Sequence, residues 1–422
     1  MPATDPRLAT HRTVEAVWRI EAARLIAGLA RVVGDVGLAE ELAQDALVIA
    51  LEQWPERGIP DDPGPWLMAT AKHRGIDQIR RRTRYHDKLV LIGREQEIRQ
   101  ESAEAELDAA LDAYVEDDLL RLVFIACHPV LPMPSRVALT LRLLGGLTTD
   151  EIARAFLVPE STVAQRIVRA KRTLTDRRVA FELPPPGELP SRLTAVLEVV
   201  YLVFNEGYSA TAGEDWMRPS LCEEALRLGR ILAGLMPREP EIHGLVALME
   251  IQASRIRART GRDGEPVLLM DQDRRLWDRL LVRRGLESLA RAEEFGGFFG
   301  PYALQAAIAA CHARASAPQD TDWPRVAALY QVLGHVTPSP VVELNRAVAV
   351  GMAEGPAAGL RIVDDLVAAG TLSTYPQLPA VRGDLLARLG RAGEARAEFA
   401  RAAQLTRNDR ERGIFLAREA EL

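Results

Sequence analysis

Between Leu147 and Leu174 the chain reads LTTDEIARAFLVPESTVAQRIVRAKRTL, and its second half sets Thr162, Gln165, Arg166, Arg169 and Arg172 on one side of a helix. Arginine and glutamine can make bidentate hydrogen bonds to base edges, each worth about 1–3 kcal/mol of discrimination against the wrong base. Lys171, Arg172, Arg177 and Arg178 would neutralise phosphates without reading sequence. The opposite stripe, Val163, Ile167, Ala170 and Leu174, follows the spacing of a buried helix face. Ahead of it, Thr149 is the expected N-cap of a short helix carrying Ile152, Ala153 and Phe156, and Pro159 ends that helix. Ser161 or Thr162 opens the next. Short helix, tight turn and basic helix is the geometry that enters a major groove. An αα-hairpin with a solvated basic face is the plainer alternative.

A second basic run lies upstream. Lys72, Arg74, Arg80, Arg81, Arg82 and Arg84 stand against Asp77 alone. They extend a helix, from Trp66 to about Arg82, whose apolar stripe is Met68, Ala71, Gly75 and Ile79. From Glu95 to Asp118 the sign reverses, with Arg99 as the one base. The net charge of −6 argues against a general nucleic-acid coat, so the two basic patches are specific features on an acidic background.

The elements that position these residues are helical throughout. Ala, Leu, Arg and Glu dominate, aromatics are 5%, and period-two alternation is hard to find, so the fold expected is all-α. At 422 residues two or three domains are expected. Ala22, Leu25, Ile26, Leu29 and Val32 recur at helical spacing until Val33-Gly34-Asp35 breaks the pattern. A helix follows from about Leu38 to Trp54, then WPERGIPDDPGP forms a loop. LPPPGELP, from Leu183 to Pro190, marks a boundary, because consecutive prolines cannot continue a helix.

Two motifs in this order carry a resemblance. AEELAQDAL (Ala39 to Leu47), the loop, and PWLMATAKHRGIDQIRRR (Pro65 to Arg82) resemble region 2 of the sigma-70 family, and the helix-turn-helix resembles region 4. Joined by an acidic tether, they look like a minimal extracytoplasmic-function (ECF) RNA polymerase sigma factor over about residues 10 to 180. The remainder, with VVYLVFNEGYSA, LLMDQDRRLWD and GPYALQAAIAACHARA, resembles the subgroup with a tetratricopeptide-like (TPR) extension. The division implied is region 2 over 10–85, an acidic linker over 86–111, region 4 over 112–182, a proline-rich linker over 183–190 and the extension over 191–422. Two residues depart from the family pattern: His73 stands where Asn is common, and Leu157 where many members have Gly. A left-handed residue at the latter position would cost leucine about 1–2 kcal/mol.

The resemblance implies roles for this chain's residues. Glu41, Leu42, Gln44, Asp45 and Leu47 match the helix that docks on core RNA polymerase. The loop Pro55 to Gly64 matches the element that captures a flipped −10 base, for which Glu56, Arg57, Asp61 and Asp62 could supply polar groups. Lys72, His73, Arg80 and Arg81 would hold the separated strands. Trp66 is either a stacking face or the core anchor of the loop. Lys72, on the flank of the apolar stripe, is expected to snorkel or meet a carboxylate of the preceding helix. Ser161, Thr162, Gln165, Arg166, Arg169, Lys171 and Arg172 would contact the −35 element. The acidic tether would thread the polymerase channel that later carries RNA.

In the extension Gly383, Ala395, Phe399 and Ala402 repeat the spacing of Ala347, Gly359, Val363 and Leu366. Ala225, Gly229 and Leu232, and Val326, Tyr330 and Leu333, fit the second half of such a unit. Small residues at a helix crossing with a larger apolar one a turn later suit stacked helix pairs. No nucleotide, metal or hydrolase motif occurs; His243, His312 and His335 are isolated, and Cys127, Cys222 and Cys311 form no CxxC pair. The expectation is a non-enzyme without cofactor or metal, bacterial and cytoplasmic, with core RNA polymerase and promoter DNA as partners and a regulatory protein or peptide on the extension. No membrane segment is expected, since no run of eighteen apolar residues occurs. The competing reading is a helix-turn-helix regulator with a helical sensor domain that acts without core polymerase. The AEELAQDAL helix discriminates, because a plain regulator has no use for it.

Overall fold

The computed structural model describes residues 6–73, 115–210, 217–261 and 265–422. Among them the regular elements are helices, with one isolated bridge between Thr260 and Pro266. The chain divides into two compact units, Met1–Val199 and Val200–Leu422.

In the first unit, α1 (Pro6–Val33) and α2 (Val36–Arg57) form a helical hairpin. The Val33-Gly34-Asp35 break makes the turn. Gly34 takes φ +67°, which a side chain would resist, and the Asp35 carboxylate accepts the Leu38 N–H at 2.8 Å to cap α2. The predicted stripe of α1 is buried at Ala22, Leu25, Ile26 and Leu29, and half-buried at Val32. α2 answers with Ala39, Leu42, Ala43, Ala46, Ala50 and Trp54. Alanine at four of these positions lets the helices approach closely. Gly58 ends α2 at φ +85° with its N–H on Trp54 O, and residues 63–73 form α3.

The unit continues through α4 (Val115–Ala126), α5 (Met133–Leu143), α6 (Thr149–Phe156) and α7 (Glu160–Asp176). After α4 a turn is held by His128, whose Nδ1 accepts the Val130 N–H at 3.0 Å. Burial, with Arg192 and Arg136 nearby, pushes that imidazole down to about 4, so it stays neutral and keeps the bond. α8 (Leu189–Tyr208) starts before the end of the expected linker. The N-terminal unit also runs past the expected limit at 182: Val196 and Val199 are buried, and Arg192 Nη2 donates to Phe124 O at 2.9 Å.

The second unit holds α9 (Pro219–Leu235), α10 (Pro240–Ala253), α11 (Arg279–Glu294), α12 (Pro301–Arg314), α13 (Trp323–Val336), α14 (Pro340–Ala353), α15 (Pro356–Ala368), α16 (Gln377–Arg388), α17 (Ala392–Leu405) and α18 (Asp409–Ala420). Many open on proline, where the missing N–H would have no partner anyway. From α13 onward each helix packs on the next in sequence. The repeat positions are where helices cross: a Cβ on Gly359 would lie 2.5 Å from Ala347 O, and one on Gly383 3.2 Å from Phe399. Ala347, Val363, Leu366, Ala395 and Phe399 share one core with Leu344, Leu360 and Leu385.

The charged run DQDRRLWD makes short 3-10 turns. Asp273 pairs with Arg275 on the surface, and Asp278 caps α11 through Leu280 and Leu281 N–H. Buried Arg274 serves carbonyls instead, donating to His312 O and Ala315 O at 2.6 Å each. A guanidinium surrounded by chain ends is more valuable as a multiple donor than as half of an ion pair.

Candidate nucleic-acid interface

The helix-turn-helix is built by local capping. Thr148, one residue ahead of the expected Thr149, closes a capping box on α6: its hydroxyl accepts the Glu151 N–H at 3.1 Å, and Glu151 Oε2 accepts the Thr148 N–H at 2.8 Å. Two residues compete for one cap, and the glutamate three positions later selects Thr148. The turn then passes through Leu157 at φ 50°, ψ 43°, the left-handed conformation, before α7 begins after Pro159.

Leucine there is strained, and its side chain is exposed. Glycine would relieve roughly 1–2 kcal/mol of strain, against about 0.5–1 kcal/mol of extra unfolded-chain entropy. Leu157→Gly is therefore expected to stabilise the N-terminal unit by up to about 1 kcal/mol, raising its melting temperature by a few degrees. Calorimetry of the variant checks this, and a lower melting temperature would show that the Leu157 side chain contributes more packing than its exposure suggests.

On α7, Val163, Ile167, Ala170 and Leu174 are buried as the spacing predicts. Ser161, Gln165, Arg169 and Arg172 are exposed, and Thr162 and Arg166 are half-buried at the edge of the same face. Arg172 reaches Asp176 at 3.4 Å, but both are largely in solvent and the pair adds little. A contiguous basic and amide-bearing face results.

Lys171 is placed differently from its neighbours. Its ammonium pairs with Glu40 of α2, and Arg142 Nε of α5 donates to the other oxygen of that carboxylate at 2.7 Å. Glu40 is 3% exposed. It stands on the apolar stripe of α2 between Ala39 and Ala43, and that position of an acid is the signal that would have marked it. Gln44 donates to Glu40 Oε1 at 2.6 Å. Further ion pairs join the same groups of helices: Arg31 with Asp118 at 3.0 Å, and Arg19 with Glu151 at 2.7 Å. Burial raises the Asp118 carboxyl although Arg31 and Arg121 oppose the shift. The acidic stretch therefore ends with a buried, paired residue.

Of the docking positions, Glu41 and Asp45 are exposed on α2, and Gln44 and Leu47 are half-buried. Leu42 is not a surface residue: at 1% exposure it belongs to the core between the helices. α2 runs on through Pro55, so Glu56 and Arg57 stand in its last turn and not in the loop as expected; they and Asp61 and Asp62 of the loop are in solvent, with Arg57 on Gln53 at 3.3 Å. Trp66 is half-buried and meets buried Trp54 edge-on at 5.3 Å, the geometry of an anchor for the loop. Lys72 is half-buried, and exposed His73 donates from Nδ1 to Ala69 O at 2.7 Å. Arg80 and Arg81, and most of the acidic tether, lie outside the described residues.

Cys127, Cys222 and Cys311 are buried, and burial pushes their thiols up, to about 11 for Cys127 and about 12 for Cys222. Among the described residues no group of acids, histidines and cysteines could hold a metal, and no helix is long and apolar enough to cross a membrane.

Residues 20–85 match sigma-70 region 2, residues 121–174 match sigma-70 region 4, and residues 192–293 match a family of unknown function. An uncharacterized protein of Rhizobium meliloti strain 1021 is 46% identical over 381 residues, covering 90% of this chain and 89% of its own. The chain belongs to the family of that protein. A probable ECF RNA polymerase sigma factor of Mycobacterium tuberculosis, SigI, is 29% identical over 182 residues, 42% of this chain and 60% of its own length. Together the region matches and this relative support a sigma factor of the ECF type, with a role in transcription initiation and a DNA-binding helix-turn-helix. No solved structure matches the chain.

Proposed function

We propose that the chain binds core RNA polymerase and directs promoter-specific initiation, with its C-terminal helical extension regulating that activity. The observation that carries this reading is the exposed face of α7, which shares one compact unit with the α2–loop–α3 elements that match region 2. In this reading Glu41, Gln44, Asp45 and Leu47 contact core polymerase. Glu56, Arg57, Asp61 and Asp62 receive a flipped −10 base, and Lys72, His73, Arg80 and Arg81 hold the strands. Ser161, Thr162, Gln165, Arg166, Arg169 and Arg172 read the −35 element. The small-residue crossings of the second unit support a tetratricopeptide-like stack, whose concave surface would take a peptide or helix.

Run-off transcription with purified core polymerase tests the reading. Core-dependent initiation from a defined start is expected, and duplex binding without it would instead favour a regulator that needs no polymerase. A chain ended after Tyr208 keeps all of α8, and so Arg192 with its bond to Phe124 O of α4, which a cut after Phe181 would remove. Its promoter output should differ strongly from that of the full chain; equal output would remove the regulatory role of the extension.

A further inference from the structure

The labels of the two promoter elements place them about 25 base pairs apart, or about 85 Å along B-form DNA at 3.4 Å per base pair. A compact unit the length of Met1–Val199 is only about 40 Å across. The helices that match regions 2 and 4 are in contact inside that unit, so they must separate before both can engage one promoter. This argument rests on the function proposed above. What holds them together is therefore what must yield.

The contact around Glu40 has the character of a joint built to yield. Its carboxylate, 3% exposed, takes Arg142 from α5 on one oxygen and Lys171 from α7 on the other. Close by, Thr175 Oγ1 donates to Asp35 Oδ2 at 2.8 Å. Beside these bonds lies a cleft of about 280 Å³, lined by Asp35, Gly37, Ile125, Lys171, Leu174 and Thr175. The cleft opens to solvent, so water reaches the edge of the joint. This part of the contact is held by charge, with incomplete packing, and charge is open to competition by another anion.

Lys171 provides the competition. It projects from the helix whose other cations, Arg169 and Arg172, are already exposed. Duplex phosphates can approach that face while the joint is intact, and a phosphate that draws the Lys171 ammonium towards it weakens the pair with Glu40. We propose that Glu40 is a latch that keeps the two promoter-contacting regions together in the free chain, and that promoter phosphate opens it by taking Lys171. By linkage, whatever opens the latch must strengthen DNA binding, and DNA must favour the open form.

Energy transfer in the full-length chain tests this. Glu52 of α2 and Glu160 of α7 are exposed, and replacing both with cysteine gives two dye sites. The three native cysteines are buried and will not compete for dye. The doubly labelled chain should report one short distance, and Glu40→Gln should move most molecules to a longer one. A mixed-sequence duplex of about 30 base pairs should lengthen the distance in the chain with Glu40 intact, since phosphate contacts ignore sequence. Glu40→Gln should also bind that duplex about tenfold more tightly, because no ion pair has to be broken first, with an unchanged salt slope, since Lys171 meets phosphate in both complexes. Asp150→Asn, which touches only the surface pair with Arg154 within α6, should change neither quantity. If Glu40→Gln fails to fold, Lys171→Gln breaks the same bond from the half-exposed side and must lengthen the distance by itself. A folded Glu40→Gln chain that keeps the short distance would overturn the latch. None of these measurements contains polymerase, so that result leaves the proposed function standing. A failed run-off experiment beside a working latch would do the opposite.

Discussion

A chain carrying Glu41→Lys and Asp45→Lys together is expected to lose co-purification with core RNA polymerase, with affinity reduced at least about a hundredfold. Both side chains are exposed on α2, one turn apart, inside the match to region 2 and in the segment that the proposed function assigns to core docking. Reversing two charges at an interface places like charges against each other and costs several kcal/mol, where about 2.8 kcal/mol corresponds to a hundredfold. At Glu41 stability should hardly change, because surface substitutions away from caps and cores stay within about 0.5 kcal/mol, and the melting temperature reports the cost of replacing Asp45. Leu42, in the same segment, is the wrong probe. It is buried, and truncating it would leave a cavity costing about 2–5 kcal/mol, so lost binding would only report lost folding. Pull-down of the charge-reversed chain, with its melting temperature alongside, checks the claim. Undiminished capture of polymerase would refute core docking through α2 more directly than any DNA measurement.

The second large effect concerns promoter choice. Arg166→Ala and Gln165→Ala should each reduce discrimination at a −35 position by about 1–3 kcal/mol, a factor of roughly five to 150 in ranking among promoters. Core binding should be unaltered. Gln165 lies on the face of α7 away from buried Val163, Ile167 and Ala170, and half-buried Arg166 borders that face. Arg172→Ala should behave differently: binding falls for every sequence, and the salt slope flattens by about 0.9. Competition binding across a randomised −35 library separates the patterns. If the Gln165 and Arg166 variants keep the original ranking, the reading face lies elsewhere on the helix. Lys171→Ala makes a poor phosphate control, since it removes a DNA contact and a bond to Glu40 together.

The helical fold and the solvent-facing side of α7 were legible because both rest on periodicity. The stripe Val163, Ile167, Ala170, Leu174 fixes which side of α7 faces water, and the crossing positions Gly359 and Gly383 fall where repeat spacing puts small residues. Local competitions were less legible. Thr148 and Thr149 are both good caps, and only the reciprocal bond with Glu151 decides between them. Least legible were the long-range polar contacts. Glu40 and Arg142 are 102 positions apart, and Arg192 reaches back to Phe124 across 68. Periodicity says that a carboxylate on an apolar stripe needs a partner, but not which helix brings one. The same gap hid the true end of the first unit. Proline composition marks where a helix stops, whereas Val196 and Val199 are assigned by what they touch.

The buried thiols have a consequence for the signals this protein can receive. Oxidants attack the thiolate, and a group held near 11, as Cys127 is, presents about one thiolate in ten thousand at neutral pH. Cys127 is also enclosed, with Thr140 at 3.3 Å from its sulfur. Peroxide or a disulfide exchanger would find almost nothing to react with until the unit unfolds. An oxidative stress that alters transcription through this chain is therefore not received at these thiols, and must reach it as a binding event, a change in abundance or a modification of another side chain.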